Sequence, residues 1–283
     1  SVHAAGIVIS DDKPLIKHTP LAASNVTKYL TQWTMDDVES IGLLKIDFLG
    51  IRYLTMVSNI VEQIKKDNPS FDITKINYAD QKVYNLFTQG RTEGIFQFES
   101  SGMKEKLRLL RPTEFNDIVA MNALYRPGPM AQIETYVRRK HGEEKVVYPH
   151  PHLEKILRDT YGVIVYQEQI MLIAVNFAHM SLNEADNMRR AVSKKKKEDL
   201  EYYGRIFIEK SVAAGYDLNI AKKLFDLIVT FANYGFNKSH AVVYSMLAYR
   251  LAYLKVYYTK YFMTALLNNV ISSEKKINEY KQE

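Results

Sequence analysis

The stretch GLLKIDFLGIRYLTMVSNIVEQIKK, residues 42–66, changes its hydrophobic period midway, and the fold is read outward from that change. Its first part, GLLKIDFLGI (42–51), is an apolar run that carries Gly50 at its end and follows a polar lead-in, DDVES (36–40). That pattern predicts a short buried strand. Side chains alternate faces along a strand, so Leu44, Ile46 and Phe48 share one side and Leu43, Lys45, Asp47 and Leu49 the other. Lys45 and Asp47 then stand on one face with Cα atoms roughly 6.5–7 Å apart. A carboxylate in an apolar strand is costly without a partner. Two readings of Asp47 stay open on this pattern: a strand-end acid that meets Lys45 or solvent, or a catalytic carboxylate that binds a metal ion. From Ile51 the period is helical. Leu54, Val57, Ile60, Val61 and Ile64 form one stripe, and Asn68-Pro69 ends it.

Upstream, AAGIVIS, the turn DDKP, then LIKHTPL and KYLTQWT (28–34) predict a small sheet of three or four strands that ends with LLKIDFL. Downstream the chain reads as helix after helix. ADQKVYNLFTQG closes on Gly90. TEFNDIVAMNALYRPGPM opens on Thr113 as cap and stops at RPGP. HLEKILRDTYG and QEQIMLIAVNFAHM follow, and SLNEADNMRRAV has Ser181 and Glu184 at capping-box spacing. Two more helices end at Gly215 and Gly235, and a long last helix starts near Ser239. The fold class is therefore α+β, predominantly α-helical, with a β-rich part over 1–51 and a helical part over 52–283.

The 283 residues are 47% apolar and 25% charged, ordinary for a globular protein. A net charge of +6 favours an anionic partner. The absence of cysteine excludes disulfides and thiolate metal sites. The longest apolar stretch, Ala241 to Val270, is broken by Arg250, Lys255 and Lys260, so no membrane span is expected. The chain opens on SVHAAGIVIS without Met and closes on SSEKKINEYKQE without a helix terminator, which reads as a piece of a longer polypeptide.

The charge is concentrated. Arg189, Arg190, Lys194, Lys195, Lys196 and Lys197 place six cations in nine residues with no acid among them. A solvated charged face is the plain reading; a phosphate grip is the sharper one. In YGFNKSHAVVY (234–244), Gly235 permits a tight turn, and Asn237 and Ser239 are both suitable helix caps. Lys238 then lies at a helix N-terminus, which favours anions. His240 and Tyr244 are four apart and share a helical face, with Tyr234 just before the turn. This set could hold a triphosphate, a sugar and a base, or it could be a capped helix–helix turn with packed rings. Lys104 in GIFQFESSGMKEKLRLLRP, Arg126 in the proline-stiffened YRPGP, and the basic YVRRKHG are further scattered cations. HPH (150–152) reads as a loop, and H-E-x-x-H, Walker and G-x-S-x-G patterns are absent.

In this order, HAAGIVIS, LLKIDFLGIRYLT, GIFQFESSGMK, ALYRPGP, YGVIVYQEQIM, ADNMRRAVSKKK and YGFNKSHAVVY resemble the α subunit of bacterial DNA polymerase III, the C-family replicative polymerase. The resemblance covers nearly the whole chain and is closer to the form without an embedded proofreading exonuclease. It implies the end of a polymerase-β-like nucleotidyltransferase palm over 1–51 and much of the fingers over 52–283. It implies a DNA-directed DNA polymerase that uses two Mg²⁺ ions, with primer–template DNA and deoxynucleoside triphosphates as partners. The sliding clamp and other replisome proteins would bind elsewhere, and the location would be the cytoplasm, with the nucleoid. Asp47 matches the family's third catalytic aspartate, as a metal ligand, and Lys45 matches the lysine of that strand. The fingers motifs assign the triphosphate to Arg189 and Arg190, assisted by Lys238, Asn237 and Ser239. Tyr234 and His240 would meet the base or sugar, and Lys194, Lys195, Lys196, Arg126 and Lys104 the DNA backbone.

One departure is plain. The family's P-D-x-D pair is missing, and the sequence contains no D-x-D at all; Asp11–Asp12 and Asp36–Asp37 are adjacent and point to opposite faces of a strand. The chain alone is therefore expected not to polymerise. The other class of function open to it is a basic helical module that holds nucleic acid or a protein without chemistry.

Overall fold

The computed structural model describes residues 2–3, 5–25, 27–48, 50–194, 197–232 and 234–281. The chain divides into two compact units, Ser1–Thr55 and Met56–Glu283. The first holds strands β1 (Gly6–Ile9), β2 (Leu21–Ala23) and β3 (Tyr29–Thr31), helix α1 (Met35–Ser40) and strand β4 (Leu44–Asp47). The strands pair antiparallel as β1–β4 and β2–β3, in two two-stranded sheets rather than one sheet of three or four. Two local features account for the difference. Pro14 leads Leu15–Lys17 into a 3₁₀ turn where a strand was expected. The polar lead-in DDVES is helical, because Thr34 and Asp37 cap each other: Asp37 N–H donates to Thr34 Oγ1 at 3.4 Å and Thr34 N–H to Asp37 Oδ2 at 3.2 Å.

The expected burial of the 42–51 strand is also corrected. The register sets Gly6 opposite Asp47, Ile7 opposite Ile46, Val8 opposite Lys45 and Ile9 opposite Leu44. Ile7, Ile9, Leu44 and Phe48 share a face, yet Leu44 and Phe48 are 58% and 62% exposed. A two-stranded ribbon is too narrow to cover such a face by itself. The burial falls instead on Val38 and Leu43, where α1 turns into β4.

Helix α2 (Arg52–Asp67) carries most of the predicted stripe: Val57, Ile60 and Ile64 are buried, joined by Met56, while Val61 is half-buried and Leu54, at the start of the helix, is exposed. Next come α3 (Gln81–Gln89), α4 (Ser101–Leu110), α5 (Phe115–Leu124) and α6 (Ile133–Lys140). Asp80 caps α3 through the N–H groups of Lys82 and Val83, and Gly90 ends it in the left-handed region. Thr113 does not cap α5. Asp117 Oδ2, one turn inside, accepts the N–H groups of Thr113 at 2.8 Å and Glu114 at 3.2 Å, and takes Lys140 Nζ at 2.9 Å. Asp117 is wholly buried, so its charge needs all of these partners.

The chain continues through α7 (Glu154–Leu157), α8 (Gln167–Ala178), α9 (Leu182–Lys194), α10 (Lys197–Ala213) and α11 (Leu218–Ala232). Phe177, Phe207, Leu224 and Ile228 centre a core among α8–α11. The expected long last helix is three: α12 (Lys238–Tyr257), α13 (Thr259–Asn269) and α14 (Glu274–Lys281). The first break falls at Tyr258, whose φ of −133° leaves the helical region. Helix α12 packs on α5 and α3 and is buried on several sides, which is why it has no polar face of the usual width. Between these helices, residues 163–166 run extended beside Phe236. Phe236 N–H donates to Val165 O at 3.1 Å and Gln167 N–H to Phe236 O at 3.0 Å. These bonds place the first turns of α8 and α12 side by side.

Candidate functional site

Two sets of polar side chains stand out, one in each unit. In the first, Asp47 ends β4 on the face opposite the apolar one, and its carboxylate is about half exposed. Lys45 Nζ, two residues back, donates to Asp47 Oδ1 at 2.5 Å. His3 Nδ1 lies 3.6 Å from the same oxygen. That nitrogen also accepts the N–H of Ala5 at 3.1 Å, so His3 adds an attraction to Asp47 only when it gives up this bond and carries a proton. The Lys45 hydrogen bond, aided by the Lys45 charge and by that of His3 in its protonated form, holds the Asp47 carboxyl below the usual carboxylate range. Gly6 makes room for the cluster. A Cβ there would lie 2.9 Å from Lys45 Cε, 3.0 Å from His3 Nδ1 and 3.1 Å from Asp47 Oδ1. Asp47 offers a hard oxygen suited to one Mg²⁺, which binds through one or two carboxylates plus substrate oxygens and water. Among the described residues no three His, Asp or Glu side chains converge to complete a metal cage. In this cluster Asp47 is the one carboxylate among His3, Lys45 and Asp47, and Lys45 holds one of its oxygens.

In the second unit, five of the sequence motifs come together. The segment YQEQ (166–169) is the hub, and each of its side chains makes a contact there. Gln167 Oε1 accepts from Arg189 Nη1 at 3.2 Å. Glu168 takes the N-terminus of α12: Lys238 N–H lies 3.0 Å from both its oxygens, and Asn237 Nδ2 donates to Oε1 at 3.0 Å. The Lys238 ammonium stands over the buried Tyr166 ring, 5.3 Å from its centroid. Gln169 turns back to accept the N–H groups of Val165 and Tyr166.

The cations here have internal partners. Arg189 donates to Asp186 Oδ1 from Nη2 at 2.7 Å and from Nε at 3.0 Å, and Arg190 Nη2 lies 2.8 Å from Asp186 Oδ2. The Arg189 hydrogen bond keeps the Asp186 carboxyl low, and the two arginine charges add to it. One wall is aromatic. His240 stacks on Tyr244 at 4.0 Å, as their i, i+4 spacing predicts, while Phe236 meets His240 edge-on and Phe96, from GIFQFES, lies against Tyr244. His240 and Ser239 are exposed in the first turn of α12, and Asn237 is its cap, accepting His240 N–H at 2.8 Å. Tyr234 is exposed beside Gly128 of the RPGP loop.

The cations expected on the DNA backbone fare differently from one another. Lys104 is largely buried and paired with Glu93. Arg126 is half-buried and donates to the carbonyls of Ala123 and Tyr234. Lys194 closes α9, and Lys195 and Lys196 lie outside the described residues. Sequence reasoning passed over Gln167, Glu168, Asp186 and Phe236. A carboxylate in the first turn of a helix is legible as dipole-favoured, but nothing in the local sequence says that Glu168 caps a second helix seventy residues on. HPH begins a 3₁₀ turn, in which His150 Nδ1 accepts His152 N–H and His152 Nδ1 meets the Tyr216 hydroxyl at 2.8 Å.

The model of the bacterial DNA polymerase III alpha subunit finger domain matches residues 53–215, and that of the bacterial DNA polymerase III alpha NTPase domain matches residues 1–50. The chain belongs to the bacterial DNA polymerase III α-subunit family. It is 53% identical along its whole length to the DNA polymerase III subunit alpha of Staphylococcus aureus (strain COL) and 52% identical to that of Bacillus subtilis (strain 168). It spans about a quarter of the length of these relatives, 26% and 25% respectively. Among the described residues no helix is long and apolar enough to cross a membrane.

Proposed function

We propose that this chain serves template-directed DNA synthesis, with residues 1–51 as the end of the palm and 52–283 as the incoming-nucleotide fingers. The observation that supports this most is the gathering of Arg189, Gln167, Glu168, Lys238 and the His240–Tyr244 stack in one place, in a chain of this family. Arg189 and Arg190 present planar forks that suit the oxygens of a triphosphate. The α12 N-terminus adds a dipole that favours the same charge. His240 and Tyr234, exposed at the mouth of the turn, meet the sugar and base of the nucleotide. Lys194, Lys195 and Lys196 draw on the DNA backbone, and Lys238 assists the arginines.

Asp47 contributes one carboxylate to a magnesium site, and Lys45 holds it ionised and neutralises a nearby phosphate. Magnesium, when bound, stabilises the attacking and leaving oxygens of phosphoryl transfer. Because D-x-D is absent from the sequence, the chain by itself lacks the carboxylates for two ions and does not extend a primer. Primer–template DNA and deoxynucleoside triphosphates are its substrates, and the work is done in the cytoplasm, on the nucleoid. Clamp and replisome contacts fall to other parts of a longer polymerase.

The test is equilibrium binding of a deoxynucleoside triphosphate to the chain. Arg189→Ala should weaken it at least tenfold, while Lys106→Ala, on α4, should leave it unchanged. Equal binding by both variants refutes the reading.

A further inference from the structure

We infer that Arg126 is a positioning residue for the incoming-nucleotide site, locking the RPGP loop to the Tyr234–Phe236 turn that launches α12, and is not a grip on DNA phosphate. The inference rests on the proposed triphosphate role of Arg189, Arg190 and Lys238. Arg126 follows the end of α5, in the segment YRPGP. Its Nε donates to Ala123 O at 2.9 Å, which ties the side chain to its own helix. Its Nη2 reaches across to Tyr234 O at 2.8 Å. The guanidinium plane lies over the Phe236 ring, with Cζ 4.2 Å from the centroid. Burial disfavours its charge, so these contacts stand in for water.

The loop is shaped for this docking. Gly128 has φ 103°, and a Cβ there would collide with the Tyr234 ring. Pro127 and Pro129 flank it and stiffen the backbone. From Phe236 the alignment passes on through the backbone bonds to Val165 and Gln167, and through Asn237 to the first turn of α12. Two donors and a flat cationic face meet two carbonyls and a ring. Lysine has neither the fork nor the plane, so it cannot replace arginine here.

The experiment compares Arg126→Lys, Arg126→Met and Arg189→Ala with the parent chain. Three quantities are read: affinity for a deoxynucleoside triphosphate, affinity for a primer–template duplex across a salt series, and hydrogen exchange of backbone amides. Both Arg126 variants should weaken triphosphate binding about tenfold, with lysine giving no rescue. Duplex affinity and its salt dependence should stay within twofold. Exchange should quicken at Phe236 and Gln167, and not in α10. A loss of duplex affinity with the salt slope reduced by about 0.9, one phosphate contact, overturns the inference in favour of a DNA grip. Unchanged triphosphate affinity in Arg126→Met, alongside a clear loss in Arg189→Ala, overturns it while leaving the triphosphate reading intact. Unchanged affinity in Arg189→Ala, or no triphosphate binding by the parent chain, sinks both.

Discussion

Replacing Glu168 with Gln tests whether an internal carboxylate stands in for a phosphate at the head of α12. Both Glu168 oxygens lie 3.0 Å from Lys238 N–H, and Oε1 also accepts from Asn237 Nδ2. Gln keeps an acceptor of nearly the same size and removes the charge. An anion in a partly buried helix N-terminal site contributes on the order of 1–2 kcal/mol. The variant should therefore melt a few degrees lower, since 1 kcal/mol moves a domain of this size by about 2–4 °C. A polyphosphate that takes the same place must displace the carboxylate and lose that same energy. Removing the charge returns it, which tightens binding by about 5- to 30-fold. Titration calorimetry with inorganic tripolyphosphate, at low salt and again at 0.15 M, reads the effect. The gain should shrink at the higher salt, because the site is only half-buried. Affinity that is unchanged or weaker in Glu168→Gln, with the fold intact, refutes the reasoning and makes Glu168 a purely structural cap.

Three further outcomes are expected. Gly6→Ala brings a Cβ against Lys45, His3 and Asp47, so the Asp47 carboxyl, followed by NMR, should titrate nearer its ordinary value while the β1–β4 register persists. Lys140→Met leaves the fully buried Asp117 charge without its ammonium partner and should cost about 3–5 kcal/mol in denaturant unfolding, provided the transition is two-state. Glu184, which accepts Ser181 N–H and Lys210 Nζ, is pulled down to about 2, chiefly by the Lys210 hydrogen bond. A depressed carboxyl stabilises the fold above its unfolded value near 4.5, and that contribution is lost as pH falls from there towards 2. Both side chains are more than a third exposed, so the contribution is below about 1 kcal/mol. Acid unfolding of Lys210→Met should accordingly show a shallower pH dependence over that window.

The sequence by itself determined what local physics controls. The switch from period 2 to period 3.6 near Ile51 marks where strands give way to helices. The caps Ser181, Asn237 and Gly90, the α2 stripe and the His240–Tyr244 stack follow from spacing within one or two turns. The order of seven motifs carried the family. It could not show that DDVES coils, that β4 lies open on its apolar face, or that Asp117 displaces Thr113 as the organiser of α5, because each depends on a competing partner. Only the tertiary structure decided what the cations do. Arg126, Lys104 and Lys140 look alike as isolated basic residues, yet one clamps a turn through carbonyls and a ring, one is paired with Glu93, and one serves a buried aspartate. The same holds for Glu168, whose partner lies on another helix. A side chain's charge is local, but its desolvation and its partners are set by elements brought together from far along the chain.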